Sequence, residues 1–127
     1  MPLDFTGKKR AHLRLGKKGE NIASRYLSLK SIKVIQRNYR NSYGEIDIIA
    51  LDGNTVCFIE VKTRRKKSRS RPYEGYRRVQ QKRVIRASKY YLTKIGNPKL
   101  PLRYDLIEIV MGTWDILELR YHKNFIL

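Results

Sequence analysis

Two short apolar segments joined by a tight turn place the strongest constraint on how this chain can fold. The segments, residues 44–50 and 55–63, are rich in β-branched side chains and predict two β-strands. Gly53-Asn54 lies between them and is typical of a two-residue hairpin turn. With that turn, Asp52 lies opposite Thr55, and every later pair of facing positions follows from it.

This register gives the hairpin one apolar face and one charged face. The apolar pairs are Ile46 with Val61, Ile48 with Ile59, and Ala50 with Cys57. On the other face, Ile49 lies opposite Phe58, Asp47 opposite Glu60, and Glu45 opposite Lys62. Like charges in facing positions destabilise a hairpin by up to about 1 kcal/mol, so the Asp47–Glu60 pair requires an explanation.

A divalent cation would resolve this repulsion. Mg²⁺ is commonly held by one or two carboxylates, with water and substrate phosphate completing its shell. Lys62, on the same face as Glu60, could then neutralise a phosphate or orient an attacking water. The alternative is a surface patch in which Lys62, together with Lys33 or Arg37, neutralises both carboxylates. The hairpin residues alone do not decide between these two interpretations.

A helix predicted over residues 8–30 brings a third carboxylate toward the sheet. Gly16, Gly19, Glu20 and Ala23 form the pattern G-x-x-G-E-x-x-A. Glycine inside a helix costs about 0.5–1 kcal/mol relative to alanine, so two of them indicate close packing against the sheet. We therefore expect Glu20 to point inward. In the alternative, this is simple helix-on-sheet packing and Glu20 is paired with an arginine.

The remaining segments predict a single domain over residues 1–127 with the element order α-β-β-β-α-β-β. A strand is expected over residues 31–38, a second helix over residues 75–95, and two last strands over residues 102–110 and 113–121. The expected inner face of the second helix consists of Val84, Ser88, Tyr91 and Ile95. The order suggests an α/β fold in which a mixed sheet has a helix on each side.

The net charge of +18 arises from 29 Lys and Arg against 11 Asp and Glu, and it is clustered. Residues 62–89 contain thirteen basic residues and one acidic residue, Glu74. A cluster of this kind favours nucleic acid as the partner, although a solvated, self-repelling surface is the alternative. The expected contacts are Arg64, Arg65, Lys66 and Lys67 in an exposed basic loop at 64–74, and Arg78, Lys82, Arg86 and Lys89 on the outer face of the second helix.

Several classes of protein are not expected. No apolar run approaches the eighteen or so residues needed to cross a bilayer, and residues 1–30 lack the apolar centre of a signal peptide. Cys57 is the only cysteine, which excludes an intramolecular disulfide, and with two histidines it makes a structural zinc site implausible. We expect a cytoplasmic protein with no membrane partner.

The motif Gly44-Glu-Ile-Asp-Ile-Ile-Ala50, followed by Phe58-Ile-Glu-Val-Lys-Thr-Arg64, resembles the YraN-type family of small bacterial proteins. That family is similar to archaeal Holliday junction resolvases within the PD-(D/E)xK superfamily. The site of the superfamily is an aspartate on one strand and E-x-K on the next. Asp47 matches the aspartate, and Glu60-Val61-Lys62 matches E-x-K. Glu20 matches the acidic residue that resolvase-like members carry on their first helix.

The resemblance implies a restriction-endonuclease-like fold, with a central mixed sheet flanked by helices on both faces. It also implies a metal-dependent endonuclease acting on DNA, with Asp47, Glu60 and Glu20 holding Mg²⁺ or Mn²⁺ and Lys62 acting at the phosphate. Glu45 and Gln81 are accessory candidates. Resolvase-like relatives often act as dimers, so a homodimer is allowed by the resemblance, although the sequence demands no interface.

Two other functions stay open at this point. One is a non-catalytic nucleic-acid-binding module that has the same fold. The other is a basic protein of an RNA-rich assembly. Phosphate contacts do not distinguish DNA from RNA, so the charge pattern leaves the natural ligand undecided.

Overall fold

The computed structural model describes residues 5–66 and 74–125, with side chains for residues 14–66 and 78–125. Its elements follow the predicted order α-β-β-β-α-β-β. They are α1 (Phe5–Leu29), β1 (Lys33–Asn41), β2 (Gly44–Asp52), β3 (Thr55–Arg65), α2 (Glu74–Lys94), β4 (Leu102–Met111) and β5 (Ile116–His122). Neither helix, over the residues described, combines the length and the hydropathy needed to cross a bilayer.

The five strands form one mixed sheet in the order β1-β2-β3-β4-β5. β3 and β4 are parallel and are joined through α2, whereas the other neighbouring strands are antiparallel. The start of β2, the end of β3 and the turn between β4 and β5 consequently lie at the same end of the sheet. We call this the Arg65 end, because β3 ends there.

The helices cover opposite faces of the sheet. Ala23 and Leu27 of α1 pack on alternate sheet residues that include Ile48, Ile59 and Ile107. A second cluster packs against α2 on the other face; its members are Ile46, Ile49, Val56, Phe58, Val84, Ala87, Tyr91 and Leu92. Burying one large aliphatic or aromatic side chain stabilises the fold by about 1.5–3 kcal/mol, so both faces contribute substantially. The predicted α/β class and mixed sheet are confirmed.

The predicted hairpin register is confirmed over its first five pairs. Asp52 lies opposite Thr55, and the ladder continues to Ile48 opposite Ile59. Gly53 in the turn has φ +62°, a backbone conformation that glycine adopts without steric cost. The turn chemistry at Gly53-Asn54 therefore sets the register of β2 against β3.

The three pairs predicted beyond Ile48 and Ile59 are not part of the ladder. The ladder ends at that pair, and the N–H of Val61 instead donates a hydrogen bond of 2.8 Å to Oδ2 of Asp47. Asp47 and Glu60 are thus not facing residues of a regular hairpin. Beside these residues the main-chain ladder between the two strands ends and a side-chain oxygen accepts the hydrogen bond of Val61; we call this point the fork.

Ile46 lies on the opposite face from the one predicted. It packs against α2 with Ile49, whereas Ile48 packs against α1. The ladder between β1 and β2 has a gap between the pairs Arg37–Ile48 and Tyr39–Ile46, and Asn38 inside this gap has φ +53°. The ladder with β3 also ends at Ile48, and the Asp47 side chain accepts the hydrogen bond from Val61, so the two-residue alternation is not kept between Ile46 and Ile48.

The faces of α2 agree with the prediction except at its end. Val84, Ser88 and Tyr91 are buried as expected. Ile95 was expected to be buried but is 50% exposed, because α2 ends at Lys94 and the chain turns away at the following Gly96, which has φ +93°. The basic residues expected on the outer face are all exposed; they are Arg78, Lys82, Arg86 and Lys89.

A buried polar network joins β4 to β5 at the other end of the sheet. Asp105 is fully buried and accepts hydrogen bonds from Nε of Arg103 at 3.0 Å, from the hydroxyl of Tyr121 at 2.5 Å and from the N–H of Asn124 at 2.9 Å. Arg103 also binds Asp52 of β2 at 2.9 Å. Burial and the bond to Asp105 raise the pKa of the Tyr121 phenol. The network ties three strands together away from the fork.

Candidate functional site

A small cavity lies at the fork between β2 and β3, beside α2. Its volume of about 40 Å³ could hold about three water-sized species, at about 10–15 Å³ each. The cavity is lined by Glu45, Ile46, Asp47, Ile59, Glu60, Gln80 and Val84. Both carboxylates predicted from the hairpin therefore line one cavity, although they are not a facing pair of the ladder.

Asp47 is a buried carboxylate of this site whose pKa is shifted. Burial is the largest cause, and together with the nearby negative charges of Glu20 and Glu60 it raises the pKa of Asp47 from its ordinary 3.8 to about 6. The hydrogen bond from Val61 and the positive charge of Lys62 oppose this rise. The ionised form is therefore held in surroundings that favour a proton or a cation, which is common at functional sites.

Glu60 and Lys62 form an ion pair on β3. Nζ of Lys62 lies 3.1 Å from Oε1 of Glu60, and the side chain of Glu60 is only 12% exposed, against 49% for Lys62. About half of the lysine side chain is thus exposed, and its ammonium group contacts a carboxylate that lines the cavity. This contact agrees with both sequence interpretations, since Lys62 neutralises Glu60 and also remains accessible to a ligand.

Glu20 points inward, as predicted, and is also paired with an arginine. Its side chain is 15% exposed, and its Oε2 lies 4.0 Å from Nη2 of Arg37. The approach of α1 depends on Gly19, because a Cβ there would lie 1.8 Å from Oγ1 of Thr63 on β3. Gly16, in contrast, has no such neighbour within 4 Å, so close packing explains only one of the two glycines.

The accessory candidates are placed differently from the prediction. Glu45 lines the cavity, but its ion pair is with Arg40 at 2.8 Å instead of the facing Lys62. Gln80, not Gln81, lines the cavity. A signal for this existed in the sequence, because Gln80 lies four residues before the buried Val84 and shares its face of the helix.

The residues at the fork fit a cation that keeps part of its water shell. Across the part of the chain that the structure describes, no group of three or more His, Cys, Asp or Glu side chains is arranged to hold a metal ion. Asp47 and Glu60 offer carboxylate oxygens beside a cavity of water size. Such a donor set suits Mg²⁺, which is often bound by one or two carboxylates and completed by water or phosphate. It does not form a closed protein cage.

A basic surface continues from the fork toward the Arg65 end. Arg64, Arg65 and Lys66 are exposed at the end of β3, and the exposed basic residues of α2 follow in the chain. Arg65 lies about 17 Å along the strand from Glu60, at about 3.3 Å per residue. Lys67 lies outside the described residues. The surface is suited to a polyanion that extends past the cavity.

This combination of features defines a class: a small α/β protein whose five-stranded mixed sheet forks beside two acidic side chains, with cationic groups around the opening. The chain belongs to uncharacterised protein family UPF0102, whose model matches residues 19–109. This is the YraN-type family that the sequence motifs resemble. The matched segment contains Glu20, Asp47, Glu60 and Lys62.

The relatives are similar over most of their length. The chain is 41% identical over 109 residues to a UPF0102 protein of Chlorobaculum parvum, which covers 86% of this chain and 84% of the relative. It is 37% identical over 111 residues to a UPF0102 protein of Symbiobacterium thermophilum. This alignment covers 87% of this chain and 94% of the relative. A relative in Chlorobium phaeobacteroides is 46% identical over 96 residues, covering 76% of each chain.

Proposed function

We propose that the protein is a nucleic-acid-binding hydrolase of the restriction-endonuclease-like superfamily that cleaves phosphodiester bonds, with DNA as the substrate and Mg²⁺ or Mn²⁺ as the cofactor. The observation that carries this proposal is the fork. Asp47 and Glu60 line one cavity there, and Lys62 lies in contact with Glu60. The match of these residues to an aspartate and E-x-K motif supports the same conclusion.

Asp47 and Glu60 would hold the metal ion, which when bound would offset the phosphate charge and lower the pKa of a water molecule. The burial of Asp47 gives this carboxylate a strong tendency to acquire a positive partner. The ammonium group of Lys62, which contacts Glu60, would bind a non-bridging phosphate oxygen. Glu20, held by Arg37, adds negative charge without entering the cavity lining.

The basic surface would bind the phosphates on either side of the bond that is cleaved. Its exposed members are Arg64, Arg65, Lys66, Arg78, Lys82, Arg86 and Lys89. Binding should weaken steeply with salt, because each neutralised phosphate releases condensed counterions. For duplex DNA the logarithm of the association constant should fall by about 0.9 per neutralised phosphate for each tenfold increase in salt.

A second candidate is a non-catalytic nucleic-acid-binding module. It is favoured by the ion pairs of Glu20 with Arg37 and of Glu60 with Lys62, which already supply these two carboxylates with a cation from the protein. In this case the carboxylates stabilise the sheet fork. Replacing Asp47 by Ala would then leave nucleic-acid binding and the biological role intact.

The test is a cleavage and binding assay on the same samples. Wild-type protein and Asp47→Asn are titrated with Mg²⁺ and Mn²⁺ in the presence of labelled single-stranded, duplex and four-way-junction DNA, with an RNA strand for comparison. We expect metal-dependent cleavage by wild type, and its loss in Asp47→Asn and Glu60→Gln while binding persists. The preferred substrate is then read directly from the set.

Glu118→Gln is the matched control. Glu118 lies on β5, two strands from β3, pairs with Arg120 and is 43% exposed, so the change removes one carboxylate charge that does not line the cavity. Cleavage by this variant should equal that of wild type. Tight binding without cleavage by any protein would instead support the non-catalytic module, and equal cleavage by Asp47→Asn and wild type would remove the fork as the site.

A further inference from the structure

The aromatic side chain of Trp114 is exposed to solvent. It is the only tryptophan of the chain and is 90% exposed, in the turn between β4 and β5. A tryptophan usually buries a large part of its surface, and its stacking surface is among the largest that a protein can offer. Ile116 and Leu117, just after the turn, are each 46% exposed. The turn therefore presents apolar surface that contributes little to the core.

The turn lies beside the cationic end of β3. Arg65 faces Met111 in the parallel ladder, and the N–H of Lys66 donates a hydrogen bond of 3.1 Å to the carbonyl of Met111. Trp114 follows Met111 by three residues, so their Cα atoms are at most about 11 Å apart. An aromatic surface and several basic groups thus share the Arg65 end of the sheet.

The turn has a defined shape. The N–H of Gly112 donates a hydrogen bond of 2.7 Å to the carbonyl of Asp115. A Cβ on Gly112 would lie 2.6 Å from Oδ1 of Asp115, so a larger residue here would require the Asp115 side chain to shift. Asp115 is the acidic residue of the turn, and it disfavours a phosphate immediately beside Trp114. An uncharged group, such as a base, is favoured there instead.

We propose that Trp114 stacks on an unpaired base while Arg64, Arg65 and Lys66 bind the neighbouring phosphates. This inference rests on the proposed nucleic-acid binding and specifies its ligand: a single strand, or a duplex with an unpaired end or branch. A continuous duplex has both faces of each base covered by its neighbours. A single strand exposes them, and every base has a face on which an aromatic ring can stack.

The position of Trp114 also sets the length of the ligand. Arg65 lies about 17 Å from Glu60 along β3, which corresponds to about five nucleotides at about 3.4 Å each. This is the number for a stacked strand, and an extended single strand would reach from the fork to Trp114 with fewer nucleotides. Strands too short to reach from the cavity to the turn should gain nothing from the tryptophan.

Intrinsic fluorescence tests this directly, because all tryptophan emission of the protein comes from residue 114. Wild-type protein is titrated with a fluorescein-labelled thymidine homopolymer and, separately, with a blunt duplex, and binding is followed independently through the anisotropy of the label. We expect the single strand to quench the emission. Trp114→Leu should bind it about 5- to 150-fold more weakly, whereas Trp114→Phe keeps most of the affinity. Duplex binding should change by less than about twofold, because little stacking is available.

Leu29→Ala is the control for loss of exposed apolar surface, since Leu29 is 84% exposed at the end of α1. It should leave binding of the single strand unchanged. Binding without quenching, together with equal affinities of wild type and Trp114→Leu, would refute the stacking role while leaving nucleic-acid binding intact. No anisotropy change with any oligonucleotide would refute both proposals. Emission that shifts with protein concentration, with sedimentation showing a dimer lost in Trp114→Leu, would assign this surface to a second copy of the chain.

Discussion

Replacing Asp47 by Asn is expected to stabilise the folded protein at neutral and alkaline pH. Burial, reinforced by Glu20 and Glu60, raises the pKa of Asp47 from 3.8 to about 6. Between these values the folded state binds the proton more tightly than the unfolded chain does. The stability of wild type should therefore fall as the pH rises from about 4 to 6, and the loss should be complete above about pH 7.

The magnitude follows from the width of this interval. Each pH unit corresponds to about 1.36 kcal/mol, so the ionised Asp47 lowers the free energy of unfolding by roughly 3 kcal/mol at pH 8. An asparagine amide oxygen can still accept the hydrogen bond from Val61, and it removes the buried charge. For a chain of this size roughly 4 °C accompanies each kcal/mol, so the melting temperature of Asp47→Asn should exceed that of wild type by about 10 °C.

Thermal unfolding followed by circular dichroism at pH 4 and pH 8 provides the assay. The advantage of Asp47→Asn should nearly vanish at pH 4, where Asp47 is protonated in folded wild type. Mg²⁺ at pH 8 should raise the melting temperature of wild type and not that of the variant, because only a carboxylate gains from the cation. The reasoning would be refuted if Asp47→Asn melted below wild type at pH 8. It would also be refuted if the variant exceeded the melting temperature of wild type by the same amount at both pH values.

Two further predictions concern stability away from the cavity. Gly19→Ala should lower the free energy of unfolding by about 1–3 kcal/mol, because its Cβ would meet Thr63, whereas Gly16→Ala should raise it by about 0.5–1 kcal/mol. Urea unfolding of the two variants checks this, and equal effects would contradict the packing argument. Arg103→Ala should cost about 3–5 kcal/mol, because it leaves the buried Asp105 without its cation. A urea midpoint close to that of wild type would show that the network contributes little.

The hairpin was predictable because its information is local. Gly53-Asn54 and the alternation on either side set the register from Asp52–Thr55 to Ile48–Ile59. The inward position of Glu20 was predictable for a related reason. Gly19, one residue before it, meets Thr63, and only a residue without a side chain allows that approach.

The departures from the prediction arise where backbone geometry changes without a strong local signal. Strand alternation was extended through Asp47, but the ladder with β3 ends at Ile48 and Ile46 lies on the opposite face. On the neighbouring strand Asn38 has φ +53°, a conformation that asparagine adopts more readily than most residues, yet nothing in its immediate sequence requires it. β1 was expected to end near Asn38 and in fact continues to Asn41.

Contacts between residues far apart in the chain were also missed. The hydrogen bond from Arg103 to Asp52 joins positions 51 residues apart, and the contact of Tyr121 with Asp105 depends on how β5 pairs with β4. Composition and spacing do not encode such partners. The two faces of α2 were easier to predict, because helical periodicity alone separates its buried residues from its exposed basic ones.

The parallel pairing of β3 with β4 has a consequence for the order in which the molecule is assembled. Val56 and Leu102 are neighbours in that ladder but are 46 residues apart in sequence, whereas Asp47 and Val61, which meet at the fork, are only 14 residues apart. Closing the longer loop costs more entropy and is slower. We expect amide protection in β2 to appear before that in β4 during refolding, as pulse-labelled hydrogen exchange would show, and simultaneous protection would contradict this. The acidic fork would then exist, with its carboxylates close together, before the second half of the sheet has formed around it.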